Sequence, residues 1–299
     1  MSNTSKHKKI LVLTAFCDED QAEAQSASLD AQLGVVLEQA VVSGLSFIES
    51  QKEIHRLAYK HSHDYDFCLK LDGDMVLGGR HMVANLTNLI EKNSSQFDRL
   101  VVPVNDFFLN KQILGCHFWR ASKTPKGFSA VPPRGDAWLD SIPGKIFGKT
   151  RTPQVYHAYA PSLSQALRFG VNRAIKALKF GLHHEHWRSL ILLEQAYIQS
   201  GCDVRRGTAL LGAGLAMASF PVPFSDLVTM DSIRLKNSDV GAFCEEQEEL
   251  GHPMLQPKLG SWVRTWFREK YPDEYFWFWL HRAKSMAQSH WSLVRRPDF

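Results

Sequence analysis

Three places in the chain set two aspartates one residue apart: Asp18 and Asp20, Asp64 and Asp66, Asp72 and Asp74. In an extended segment the side chains at i and i+2 leave the backbone on the same side, so each pair could present two carboxylates to one point. Converging carboxylates repel unless a cation or a proton lies between them. A hard ion such as Mg2+ takes one or two carboxylates together with the oxygens of a diphosphate. The spacing alone is common, so the setting decides. Asp72 and Asp74 sit directly at the carboxyl end of a short run that reads as a buried strand, Phe67-Cys68-Leu69-Lys70-Leu71. A strand ending there delivers both carboxylates to the crevice where open α/β sheets bind ligands. Lys70 shares the parity of Asp72 and is a candidate partner for one of the carboxylates.

Such a strand needs a sheet around it. Ile10 to Phe16 is a continuous apolar run of the kind buried on both faces of a parallel sheet. Residues from about Gln21 to Leu33 could form a helix that Gly34 stops, and Val35 to Val42 reads as a strand. Ser50-Gln51-Lys52-Glu53 fits a capping box, with a helix following to about His61. Met82, Val83, Leu86, Leu89 and Ile90 mark one face of another helix, and Leu100 to Val104 is a further strand. Residues 9 to 104 therefore read as β-α-β-α-β-α-β. That order predicts an α/β fold: an open, mostly parallel sheet with helices on both faces. Gln112 to Arg120 reads as strand and Ser122 to Gly135 as a surface loop. Helices are expected from Pro161 to about Phe180, from Trp187 to Ile198 and from Thr208 to Ser219. The last is rich in Ala and Gly, which permits close helix packing. The expected division is a sheet domain over residues 1–158 and a helical C-terminal region over 159–299.

Composition narrows the partners. A net charge of +4, with no long Lys/Arg run in the body of the chain, argues against nucleic acid. Five scattered cysteines, none in C-x-x-C spacing, suit a reducing compartment and exclude a zinc site built from cysteines. The first apolar run meets Asp18-Glu19-Asp20 without a small-residue cleavage site, so it reads as a buried strand and not a signal peptide. With no stretch of about 20 apolar residues to span a bilayer, the expected location is cytoplasmic.

The segment Cys68-Leu69-Lys70-Leu71-Asp72-Gly73-Asp74-Met75-Val76-Leu77 resembles the strand-D-x-D-M segment of GT-A fold glycosyltransferases, in particular the large family 2 group. The likeness covers about residues 9 to 120. It implies a nucleoside-diphosphate sugar donor and a Mn2+ or Mg2+ ion, with Asp72 near the ribose and metal and Asp74 a direct metal ligand. It implies also that Phe16 to Asp18, after the first strand, help hold the nucleotide base. Many members begin that loop with Pro-x-Tyr-Asn, and this chain has Thr14-Ala15-Phe16-Cys17-Asp18 instead. Members often complete the metal site with a later histidine, and His157 in Val155-Tyr156-His157 is the candidate, since neutral imidazole is an acceptable ligand for Mn2+. A transferase that inverts configuration needs a general base for the acceptor hydroxyl. Asp136 and Asp140 are the candidates, with Asp106 a rival.

The remaining features carry less. His183-His184-Glu185-His186 lacks the H-E-x-x-H spacing of a zinc helix and reads as an exposed loop. Arg205-Arg206 could meet a diphosphate or simply open a helix. Five of the eight tryptophans (Trp262, Trp266, Trp277, Trp279 and Trp291) stand near the C-terminus among Arg and Lys. That composition suits a peripheral membrane contact and an acceptor that is a saccharide or lipid-linked. It equally suits packing against the rest of the chain. A nucleotidyltransferase would carry a Gly-rich basic loop after the first strand, where this chain is acidic. A phosphatase would carry its acidic pair on that first strand. A non-catalytic membrane-interface protein keeping the same fold is the alternative of another class.

Overall fold

Alternation along one strand sets the layers. β1 (Lys8–Phe16) sends Ile10 and Val12 to one face and Leu11 and Leu13 to the other, and all four are buried. A strand apolar on both sides has to be covered on both sides. Over the first face lie Leu29 of α1 (Ala22–Asp30) and Met82, Val83, Leu86 and Ile90 of α3 (Met82–Lys92). Over the second lie Ile54 and Ala58 of α2 (Phe47–Lys60), with Trp119 and Trp138. The computed structural model describes residues 7–16, 19–129, 137–147, 155–178, 183–201 and 203–218.

The other strands are β2 (Val35–Ser43), β3 (Phe67–Lys70), β4 (Met75–Leu77), β5 (Arg99–Asp106), β6 (Lys111–Arg120), β7 (Gly144–Ile146) and β8 (Val155–His157). They form one sheet in the order β2-β1-β3-β6-β5-β8-β4, with β7 alongside β5. β1 runs parallel to β2 and β3, and β5 runs parallel to β7 and β8. The expected α/β architecture with helices on both faces is present, but the sheet is mixed. β6 lies antiparallel between β3 and β5. Only residues 107–110 separate β5 from β6, too few for a crossover, so the chain turns straight back.

One helix begins a turn before the expected place. The capping box of α2 is Ser46 with Glu49, not Ser50 with Glu53. Both quartets match the S-x-x-E pattern. The earlier start brings Ser50 and Gln51 onto the buried face, and Glu53 pairs with Arg56 instead.

The chain divides into two compact units, Met1–Phe107 with Lys111–Ala160, and Phe108–Asn110 with Pro161–Phe299. The second contains α4 (Leu163–Leu178), α5 (His183–Gln199) and α6 (Val204–Ala218). A Cβ on Gly170 would fall 1.7 Å from the Ala209 carbonyl oxygen, and one on Gly212 would fall 2.2 Å from that of Leu167. The small residues thus bring α4 and α6 into backbone contact. His183 to His186 form the first turn of α5 and not a loop. Arg205 and Arg206 open α6, where both amides donate to the Asp203 carboxylate. The tryptophan-rich tail, including Trp262 and Trp291, lies outside the described residues.

Candidate active site

Strand pairing builds the site. β8 lies between β4 and β5, in a register that sets Met75 beside His157 and His157 beside Asp106. Asp74, Met75, His157 and Asp106 therefore meet across three strands. His157 Nε2 lies 2.9 Å from an Asp74 carboxylate oxygen, and Nδ1 lies 2.9 Å from an Asp106 carboxylate oxygen. The Asp106 side chain is fully buried and that of His157 is 13% exposed. Asp74 is bound again through its backbone, since its carbonyl accepts from the Ala158 amide at 2.8 Å. Ala158 and Ala160 both have positive φ, 53° and 51°, a conformation alanine rarely takes. Two such residues just past His157 mark a backbone held in place by its surroundings.

Asp72 is placed by a different partner. Lys70, buried at the end of β3, donates to the Asp72 carboxylate at 2.7 Å. The parity reading of Lys70 is thus what the geometry shows. The Gly73 amide donates to the Ala15 carbonyl at 2.9 Å, and the Met75 amide closes the turn on the Asp72 carbonyl at 2.9 Å. A Cβ on Gly73 would come within 2.7 Å of a Glu19 carboxylate oxygen and 3.0 Å of the Ala15 carbonyl oxygen. Glu19 thus stands against the turn between the two aspartates. The sequence reading missed it, although it sits inside the acidic loop after β1.

The charges reinforce one another. Burial, the largest influence, pushes the His157 imidazole down; Asp74 and Asp106 override it by charge and hydrogen bonding, to about 10. Burial pushes the Asp74 carboxyl up, yet the charge and hydrogen bond of His157, with help from Lys70, hold it below the ordinary carboxylate range.

The other sequence candidates separate. Phe16 ends β1, one residue beyond the Ala15 carbonyl that holds Gly73. Asp18 and Asp136 lie outside the described residues. Asp140 is not brought to the crevice. It pairs with Arg99 at 3.1 Å, at the start of β5, whereas Asp106 ends that strand. Seven residues of extended chain separate those ends by roughly 23 Å. Asp66 and Asp64 are structural, with Asp66 accepting from the Lys9 amide and Asp64 from His61.

Among the described residues, no three His, Cys, Asp or Glu side chains already surround one metal position. Two donors do converge, Asp74 and His157, and the chemistry of that set fits a divalent cation. A metal-binding imidazole usually carries a carboxylate on its other nitrogen, and Asp106 holds His157 in that way. One or two carboxylates plus ligand phosphates is the usual protein share of such a site.

No family model and no curated protein matches the sequence. Similar solved structures include the mannosyltransferase PcManGT from Pyrobaculum calidifontis in complex with GDP-Man and Mn2+. It is 14% identical with a TM-score of 0.37, over 85% of this chain and 88% of that one. A protein described as a nucleotide-diphospho-sugar transferase, from Desulfovibrio desulfuricans G20, is 9% identical with a TM-score of 0.31, over 64% and 99%. The A197 protein from STIV is 13% identical with a TM-score of 0.36, over 47% and 82%. At these scores no activity or ligand transfers to this chain, whose function has to be argued from its own side chains.

Proposed function

We propose that this chain is a glycosyltransferase that moves a sugar from a nucleoside-diphosphate donor to an acceptor hydroxyl, with a divalent cation at Asp74 and His157. One observation carries the reading: Asp106 and His157, at the carboxyl ends of β5 and β8, meet Asp74, just before the amino end of antiparallel β4, in a single cross-strand row beside the Lys70-held Asp72. Mn2+ or Mg2+ bound there would offset the charge of the departing diphosphate. Asp106 fixes the ring of His157 through Nδ1 with Nε2 facing Asp74, so a cation bound there would take the place of the Nε2 proton. Lys70 neutralises Asp72 and keeps it from repelling Asp74. Phe16 and Asp18 are proposed to border the nucleotide base and Asp136 to take the acceptor proton. A saccharide or lipid-linked acceptor, polysaccharide or glycolipid synthesis, and a cytoplasmic location with a peripheral membrane contact complete the proposal.

The test is a thermal-shift panel of nucleotide sugars with and without Mn2+. A ligand that binds the folded state at 100 times its Kd adds about 2.7 kcal/mol of stability. At least one nucleotide sugar is expected to raise Tm only when Mn2+ is present, and D74A is expected to abolish the shift. Metal-independent shifts, or a D74A protein that behaves as wild type, would sink the reading.

A further inference from the structure

The turn that carries Asp72 and Asp74 is held from a direction that strand pairing does not supply. β4 ends the sheet, with β8 on one edge and no strand on the other among the described residues. On that open edge the partners come from α1 and the residues that flank it. Gln25 Nε2 donates to the Asp72 carbonyl at 2.8 Å and to the Met75 carbonyl at 2.8 Å. These are the first and last carbonyls of the acidic turn. The Leu77 amide donates to Ser28 Oγ at 3.1 Å. Gln32 donates to the Gly79 carbonyl at 2.9 Å and accepts from the Val83 amide at 3.2 Å. Gln21 donates to the Tyr159 carbonyl at 3.2 Å, two residues beyond His157. Gln25 and Ser28, three residues apart, share one face of α1, and Gln21 and Gln32 flank the helix at its two ends.

Gln25 is the most constrained of the four. It is 3% exposed, and α1 buries only Gln25 and Leu29. Its Oε1 accepts from Gln39 Nε2 at 2.9 Å and from Thr14 Oγ1 at 3.4 Å. Carbonyls can only accept, so the amide nitrogen has to face Asp72 and Met75. All its contacts thus agree on one orientation.

We propose that Gln25 is a positioning residue for the acidic turn, setting the direction of Asp72 and Asp74 by gripping the turn's first and last carbonyls. The link to metal binding rests on the function proposed above. The grip itself does not.

Q25E tests it, because it preserves size while removing both donors and turning an oxygen toward two carbonyl oxygens. Q25M, of similar length and apolar, is the second variant should Q25E fold poorly. S28A is the control, since it loses a hydrogen bond to the same strand without touching the turn. Hydrogen exchange of the Gly73 and Met75 amides is read in metal-free protein, and MnCl2 affinity by calorimetry, well below each Tm. Expected are at least tenfold faster exchange at both amides in Q25E or Q25M and a Mn2+ affinity at least tenfold weaker. S28A should stay within threefold of wild type in both. Unchanged exchange at Gly73 and Met75 overturns the proposal. So does an S28A protein as impaired as Q25E, which would make α1 a general support. Failure of wild type to bind Mn2+ overturns the metal reading alone, and the exchange rates then decide the grip.

Discussion

The two ends of β5 both carry a charged residue in an ion pair, but the pairs differ in kind. At the start of the strand Arg99 meets Asp140, whose side chain is 48% exposed. At the other end Asp106, fully buried, meets His157, which meets Asp74. Water at the half-exposed Asp140 weakens that pair, although Arg99 itself is buried. Burying charged groups costs several kcal/mol each unless geometry and hydrogen bonds compensate. Two acids and one base in a water-poor row, with a further acid on Lys70 beside them, are an expensive way to close a sheet end. The first pair keeps one partner, Asp140, open to water and brings together one acid and one base, whereas the second has the composition of a ligand site.

The comparison breaks most visibly at Asp106. D106N keeps the shape but leaves the His157 Nδ1 without a carboxylate. Loss of such an outer partner typically costs 10–100-fold in metal affinity, and that range is expected for Mn2+ by calorimetry. An affinity equal to wild type would show that the buried row does not serve a metal.

Next in size is Gly73. G73A drives a Cβ against Glu19 and the Ala15 carbonyl. Overpacking of this sort costs about 1–3 kcal/mol. Urea unfolding should show that loss, and adding E19A should recover part of it, because the closest clash is with Glu19. No recovery would mean that Glu19 does not hold the turn.

A further effect concerns pH in metal-free protein. His157 sits near pKa 10 when folded, against about 6.5 when unfolded. Its contribution is complete below the unfolded value and drains away as pH rises through about 10. Asp74, held low, contributes above the ordinary carboxylate range and loses that share as pH falls through its folded value. Stability should therefore decline from neutral pH toward about 10 in wild type, and more gently in H157Q, as read by urea midpoints. Parallel curves would count against a charged His157.

How much of this was readable depends on how local each signal is. Asp72 and Asp74 announce themselves because an apolar strand runs straight into them, and Lys70 follows by parity. Asp106 could be named as an acid after a strand, but its hold on His157 arises from the pairing of β5 with β8, which no local pattern encodes. Gln25 was invisible for a related reason: α1 mixes alanines with polar residues and has Leu29 as its one large apolar side chain, so a buried glutamine leaves no periodic trace. The return of β6 also left little mark. Its turn lacks Gly and Pro, and the left-handed position falls to Asn110 at φ 47°, a residue that tolerates it.

The smallest expected effect is the sharpest statement about the two ends. D140N removes the partner of Arg99, whose own side chain is only 10% exposed, and keeps the amide in its place. The Asn oxygen can still accept from the guanidinium, so the loss should stay within about 1 kcal/mol by urea unfolding. Mn2+ affinity and any metal-dependent nucleotide-sugar shift should be unchanged. Asp140 and the crevice lie at opposite ends of a strand roughly 23 Å long, beyond the reach of a side-chain rearrangement. Charge screening over the Debye length, about 8 Å at physiological salt, removes the long-range alternative as well. A D140N protein that lost nucleotide-sugar binding would require Arg99 and Asp140 to act at the site, and would erase the distinction between the two ends of β5.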